Sequence, residues 1–260
     1  MSIEALIFDV DGTLADTEET HRQAFNAAFL EHDLNWNWSP HLYIELLKTS
    51  GGKERIGKYI DSLAAPPAEK ERLGGIVPAI HRTKTRIFAE LIRDGRSPFR
   101  PGVARLIREA RAAGVKLGLA STTSPANVEA LISAGLGEDG YHWFNVIACG
   151  DQVPAKKPAP DIYNLALSTL GLPASSCVAF EDSGNGVRAA KAAGLFTVLT
   201  PTIWTQTQEF PGADLVLYSL GDPGAPLDPG TAGRIGAPYL GLAQLEALHS
   251  AGRGRREAAA

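Results

Sequence analysis

A chain of 260 residues, 44% hydrophobic and 21% charged, has the balance of a globular protein and enough length for one large domain or a core with a smaller companion. Its formal net charge of −4 gives no global basic field, so nucleic acid is not an expected partner and an anionic substrate needs a local positive site. Cys149 and Cys177 fall in apolar runs and read as small buried hydrophobes rather than a disulfide framework; with no leader pattern and no run of membrane-spanning length, the expectation is no membrane and a reducing cytoplasm.

In chain order, short apolar strands are expected at 3–9, 115–121, 146–149, 177–181, 196–199 and 215–217. Helix patterns lie between them at 103–113, 127–134, 161–170 and 187–193, each followed by a glycine stop at Gly114, Gly135, Gly171 or Gly194. This alternation predicts an α/β fold with a doubly wound parallel sheet, whose ligands gather at the carboxyl ends of the strands. Residues 17–98 break the rhythm: the patterns at 19–31, 41–47, 54–63 and 76–92 are all helical, and Pro98 and Pro101 mark the return. The expected division is a core of residues 1–16 and 99–250, an all-helical insert at 17–98, and a disordered tail at 251–260. A Gly/Pro/Ala-rich stretch to Pro238 and a short helix at 240–249 precede that tail.

The first strand runs into Phe8-Asp9-Val10-Asp11-Gly12-Thr13-Leu14. Two carboxylates at the end of a buried strand are costly unless compensated; an unpaired one takes up a proton instead. A divalent cation can hold such a pair ionised, because hard cations take oxygen ligands. DxDGT after an N-terminal strand resembles motif I of the haloacid dehalogenase (HAD) superfamily of aspartate-nucleophile phosphatases. The all-helical insert resembles that superfamily's first type of cap domain. Three later strand ends continue the pattern: Leu119-Ala120-Ser121-Thr122-Thr123, then Lys157 in Lys156-Lys157-Pro158-Ala159-Pro160-Asp161, then Phe180-Glu181-Asp182-Ser183. The ordered set is similar to all four HAD motifs and covers about residues 1–200.

The resemblance implies a Rossmann-like HAD core and phosphoryl transfer, which proceeds by positioning and charge neutralisation. Asp9 would attack phosphorus to give an aspartyl-phosphate, and Asp11 would protonate the leaving alkoxide and then deprotonate the hydrolytic water. Mg²⁺ would be held by the Asp9 carboxylate, the Asp11 backbone carbonyl and Asp182, with Glu181 orienting a coordinated water. Ser121 and Lys157 would grip the phosphoryl oxygens. Lys157 is preferred over Lys156 because the KPxPD pattern starts there. Two other glycine patterns compete for a phosphate role. Gly184-Asn185-Gly186-Val187-Arg188-Ala189 fits a dinucleotide fingerprint, but Glu181-Asp182 before it would repel a pyrophosphate. Gly51-Gly52-Lys53 lacks a preceding strand and has Glu54 where a phosphate loop needs Ser or Thr.

In relatives with this cap, substrate contacts come from the segment after motif I and from cap helix starts. Here these are Asp16, Thr17, Glu18 and His21, then Gly51, Gly52, Lys53 and Arg55, and Lys84, with Thr122 and Thr123 beside Ser121. Thr17, Glu18 and His21 would meet sugar hydroxyls; Lys53, Arg55 and Lys84 are candidates for a second anion, while Arg82 and Arg86 read as solvated. ADTEETH after motif I, Asn35-Trp36-Asn37-Trp38, TSGGKERI, LASTTSPANVEAL, KKPAPDIY and FEDSGNGVRAAKAAG together resemble the CbbY-type phosphatases encoded beside Rubisco. Those enzymes remove inhibitory xylulose 1,5-bisphosphate. The resemblance implies Mg²⁺-dependent hydrolysis to xylulose 5-phosphate by a monomer, in the cytoplasm or, for a mature processed chain, the plastid stroma. A β-phosphoglucomutase and a phosphoglycolate or general sugar-phosphate phosphatase share these motifs and stay open. A catalytically idle HAD-fold binding protein is the rival of another class, and four complete motifs argue against it.

Overall fold

The central strand ends one residue short of one neighbour and two short of the other. In the computed structural model, which describes residues 2–257, β1 (Ala5–Phe8) pairs in parallel with β2 (Lys116–Ser121) and β4 (Cys177–Glu181), and Phe8 is in register with Leu119 and Phe180. With β3 (Val146–Cys149), β5 (Phe196–Leu199) and β6 (Leu215–Val216) these form one six-stranded parallel sheet, ordered β3-β2-β1-β4-β5-β6. The α/β expectation holds. Leu6, Phe8, Leu117 and Leu119 face one core cluster, whereas Ala5, Ile7 and Ala120 face the other, as the two-residue period of a strand requires.

Four helices of the core flank this sheet: α5 (Val103–Ala112), α6 (Pro125–Leu136), α7 (Asp161–Leu170) and α8 (Gly184–Ala192). Ser124 and Ser183 cap α6 and α8 by accepting from Asn127 N and Gly186 N. One expected stop moves. α6 runs through Gly135, whose missing Cβ makes room for the Phe99 ring, and stops at Gly137, with φ +87°.

Between β1 and α5 the chain forms α1 (Glu18–Glu31), α2 (Pro40–Leu46), α3 (Gly52–Ser62) and α4 (Pro67–Arg93). Phe25, Phe29, Trp38 and Tyr43 are fully buried among them and hold the block together through ring contacts 4.8–6.3 Å apart. The two chain crossings meet at an Ala15–Phe99 bridge, and Arg100 N donates to Leu14 O. The tail differs from expectation. Residues 229–235 form α9 (Pro229–Ile235), capped by Asp228, and α10 (Leu242–Glu257) continues through the segment expected to fray; 258–260 lie outside the described residues. Arg105 of α5 anchors this return, donating to Asp222 and to the carbonyls of Gly221 and Leu240 and stacking 4.3 Å from the Tyr239 ring.

Candidate active site

Asp9 is the first residue past β1, and its N–H still donates to Phe180 O, so its backbone is fixed by the sheet. The chain then turns at Gly12, φ +81°, where a Cβ would collide with the Asp182 carboxylate. Thr13 donates to Asp9 Oδ2 at 3.3 Å. Lys157, arriving from the loop after β3, donates to Asp9 Oδ1 at 2.7 Å and to Glu181 Oε1 at 2.5 Å. Lys156 turns the other way, to Gly150 O and Asp151, each at 2.7 Å. The geometry thus brings Lys157, not its neighbour, to Asp9.

One carboxylate oxygen each from Asp9, Glu181 and Asp182 lies within 4.8 Å of the others, and all three residues are buried. Burial, followed by the charges of Asp9 and Glu181, pushes Asp182 well above the usual carboxylate range. Burial also raises Asp9 and Glu181 despite the opposing pull of Lys157. Burial disfavours the Lys157 ammonium too, but Asp9 and Glu181 outweigh it and hold its pKa above the ordinary lysine value. Three converging buried carboxylates and one ammonium leave negative charge uncompensated. The donor set, all hard oxygen, therefore fits a divalent cation. The Asp11 carboxylate is not in this cluster.

Asp11 instead faces the helical block. Thr17, at the N-cap position of α1, donates to Asp11 Oδ1 at 2.8 Å, and His21, one turn later on the same helix face, meets that oxygen through Nε2 at 2.7 Å. Lys84 of α4 stands 2.6 Å from His21 Nδ1. An ammonium has protons and no acceptor, so Nδ1 accepts and Nε2 carries the proton given to Asp11. Burial, opposed by the Asp11 charge and reinforced by that of Lys84, lowers His21 to about 4, so the ring is neutral at pH 7. Burial lowers Lys84 to about 7. For Asp11, burial is outweighed by His21, Lys84 and Thr17, which hold it far below the usual carboxylate value. Beside this chain, Arg55 donates to Tyr43 Oη and Tyr43 to Glu18, each at 2.9 Å; burial raises Glu18 to about 7.

These two clusters face one cleft between sheet and helical block. Asp9, Asp11, Glu18, His21, Gly51, Gly52, Arg55, Lys84, Ser121, Thr122, Thr123, Lys157 and Asp182 all line it. Glu181 lies just behind Asp9 and Lys157, and Thr17 behind Asp11. Three residues expected to contact substrate are not brought there; one is Thr17, fully buried with its hydroxyl given to Asp11 and so not free for a sugar. Asp16 is exposed at the turn before α1, and Lys53 is drawn out of the cleft to Asp151, 2.5 Å away. Sequence reasoning missed Phe25, His81, Asn127, Asn185 and Gln208 in the lining. His81 lies one turn before Lys84 on α4, and Asn185 inside the pattern weighed as a dinucleotide fingerprint. That pattern has another cause: a Cβ on Gly186 would collide with Glu181.

The family model of haloacid dehalogenase-like hydrolases matches residues 3–194. The chain belongs to this family. Among HAD-like hydrolases it is 50% identical, over 250 residues, to the plasmid-encoded CbbY protein of Cupriavidus necator, covering 95% of this chain and 97% of that protein. A CBBY-like protein of Arabidopsis thaliana is 44% identical over 223 residues, 84% of this chain and 70% of that one. Of solved structures, a mutant CbbY from Rhodobacter sphaeroides in complex with xylulose 1,5-bisphosphate is 48% identical, with TM-score 0.79, covering 85% of this chain and 98% of that one. Among the described residues of this HAD-like hydrolase, no helix is long and apolar enough to cross a membrane.

Proposed function

We propose that this HAD-like hydrolase is a Mg²⁺-dependent phosphatase that converts xylulose 1,5-bisphosphate to xylulose 5-phosphate. The carrying observation is that one cleft holds two aspartates in opposite settings. Asp9 sits against Lys157 in the acid cluster, while Asp11 is held apart by Thr17 and His21. A nucleophile and a proton carrier need that separation. The substrate is supported by the solved CbbY complex named above.

In this reading an Asp9 oxygen attacks phosphorus and forms an aspartyl-phosphate as the bond to the sugar oxygen breaks. Asp11, a carboxylate in the free site, takes up a proton from solvent as the anionic phosphate enters beside it and gives that proton to the leaving oxygen. As a carboxylate it then takes a proton from the water that hydrolyses the aspartyl-phosphate, which frees Asp9 and inorganic phosphate. His21 and Thr17 keep Asp11 aimed in both halves. Lys157, Ser121 and Thr122 bind the phosphoryl oxygens. Mg²⁺, with Asp9, Asp182, Glu181 and the Asp11 carbonyl as its proposed holders, would neutralise charge on the phosphoryl group. The helical block, residues 17–98, would act as the cap over a core of residues 1–16 and 99–250, with Glu18 and Arg55 reaching the rest of the sugar.

The purified protein with xylulose 1,5-bisphosphate should release one equivalent of phosphate only with Mg²⁺ present, leaving xylulose 5-phosphate. No release, or faster turnover of a hexose monophosphate, overturns the proposal.

A further inference from the structure

Tyr163 is fully buried on α7, packed in the core cluster that contains Ala120 and Ala179. Phenylalanine would fill nearly the same space. The hydroxyl therefore adds one thing to this apolar setting, a polar group that is costly without a partner. It donates to Glu181 Oε1 at 2.6 Å. The same oxygen accepts from Lys157 at 2.5 Å, and the Lys157 ammonium stands 5.1 Å over the Tyr163 ring. The other Glu181 oxygen is buried and packs against Gly186, where a Cβ would collide with it. Glu181 is thus seated from three sides, by Gly186, by Lys157 and by Tyr163.

This seating bears on Asp9. Lys157 divides its protons between Glu181 and Asp9. A second donor on Glu181 Oε1 takes up part of that oxygen's charge, so the ammonium is not drawn wholly to Glu181 and stays against Asp9. The aromatic face below the ammonium restricts it in the remaining direction. Seating Glu181 also keeps its carboxylate within reach of those of Asp9 and Asp182.

We infer that Tyr163 is a positioning residue of the phosphoryl-transfer site: through Glu181 its hydroxyl sets Lys157 against Asp9 and keeps the three-acid cluster in shape for a divalent cation. The inference rests on the function proposed above, in that Asp9, Lys157 and the cluster are taken as the reacting site.

The test is Tyr163→Phe, measured three ways: melting temperature, Mg²⁺ affinity by calorimetry without substrate, and kcat and KM for xylulose 1,5-bisphosphate. Removing the partner of a group that orients metal ligands typically costs about 10–100-fold. The expected result is a loss of that size in kcat, weaker Mg²⁺ binding, and KM within about twofold, since the cap contacts are untouched. Glu181→Gln approaches the same link from its other end. In that background the Tyr163→Phe penalty should shrink at least about threefold, because the two residues act through one bond. Tyr163→Phe with both kcat and Mg²⁺ affinity within about twofold of wild type overturns the inference. So does an undiminished penalty in the Glu181→Gln background, which is the mark of a packing residue. Wild-type protein that binds Mg²⁺ but releases no phosphate overturns the proposed function instead, and the Mg²⁺ affinities still decide the role of Tyr163.

Discussion

The Lys157 ammonium lies 2.7 Å from an Asp9 carboxylate oxygen, joining two residues 148 positions apart. Lys156, next in the chain, is bound to Gly150 O and Asp151. The two lysines should therefore respond differently to truncation. Lys157→Ala should lower kcat/KM by at least about a hundredfold, the scale of losing one fixed charge in a water-excluded site. Lys156→Ala should cost under about tenfold. Steady-state kinetics on both variants decides, and the reverse ranking would shift the phosphate-binding role to Lys156.

Asp9→Asn keeps the side chain's shape and removes the proposed nucleophile. Turnover should fall by several orders of magnitude. The melting temperature should hold, because neutralising a buried acid whose charge burial already disfavours costs the fold little. A variant that retains more than a tenth of wild-type kcat would contradict the assignment of Asp9.

Asp9, Glu181 and Asp182 repel one another in the absence of a cation. Mg²⁺ bound to the native state alone should stabilise by about 2.7 kcal/mol at a hundred times its Kd. At about 2–4 °C per kcal/mol for a chain of this size, thermal scans should rise by several degrees. Asp182→Ala should abolish the rise, and exhaustive chelation of wild type should stop phosphate release until Mg²⁺ returns. Ca²⁺ should inhibit, its larger and looser shell misplacing Asp9 against phosphorus. A melting temperature indifferent to Mg²⁺ would count against the cluster as its site.

Lys84 connects the helical block to proton binding. Burial lowers its pKa to about 7 from an ordinary value of 10.5. Between those values the unfolded chain binds the proton and the folded chain does not, so this group makes stability rise with pH through that window, by at most about 1.4 kcal/mol per unit. Glu18, raised to about 7 by burial, acts in the opposite sense and below that window. Urea unfolding of wild type and Lys84→Met at pH 7 and pH 9 isolates the lysine. The advantage of the Met variant should be larger at pH 7 and shrink by pH 9. A difference that is flat over this range would mean Lys84 is protonated throughout.

The core of the site was legible because strand-end chemistry survives in one dimension. Acids and hydroxyls directly after apolar runs must emerge at one edge of a parallel sheet, which is how Asp9, Ser121 and Glu181 could be placed together. What was hidden depends on the direction of a side chain or on packing. Lys53 sits at a helix start beside the cleft, but Asp151, 98 residues away, pulls it outward. α4 begins at Pro67, well before 76, because Leu73 and Val77 continue the buried stripe of Ile80 and Phe88 toward the N-terminus across Gly74 and Gly75, two poor helix formers. The helix at 229–235 was not expected within the Gly/Pro/Ala-rich stretch to Pro238, whose anchor, Arg105, lies on another element.

The outward turn of Lys53 changes which cation should select a bisphosphate. Lys157 marks the end of the cleft where phosphorus would react. Arg55 and Lys84 line its cap wall, with the backbone of Gly51 and Gly52 beside them. A second phosphate in that wall would supply binding energy without reacting and favour cap closure over the reacting group. Arg55→Ala should therefore lower kcat/KM for xylulose 1,5-bisphosphate by at least about tenfold more than for a sugar monophosphate. Lys53→Ala, which breaks an exposed pair with Asp151, should change the two substrates equally and by little. Ribulose 1,5-bisphosphate carries the same two phosphates with the C3 hydroxyl on the opposite hand, which misplaces it against Glu18, so it should be a poor substrate. Parallel kinetics on the two epimers gives the outcome. Equal kcat/KM would show that the cap wall reads phosphate alone, and the proposed preference for xylulose 1,5-bisphosphate would fall.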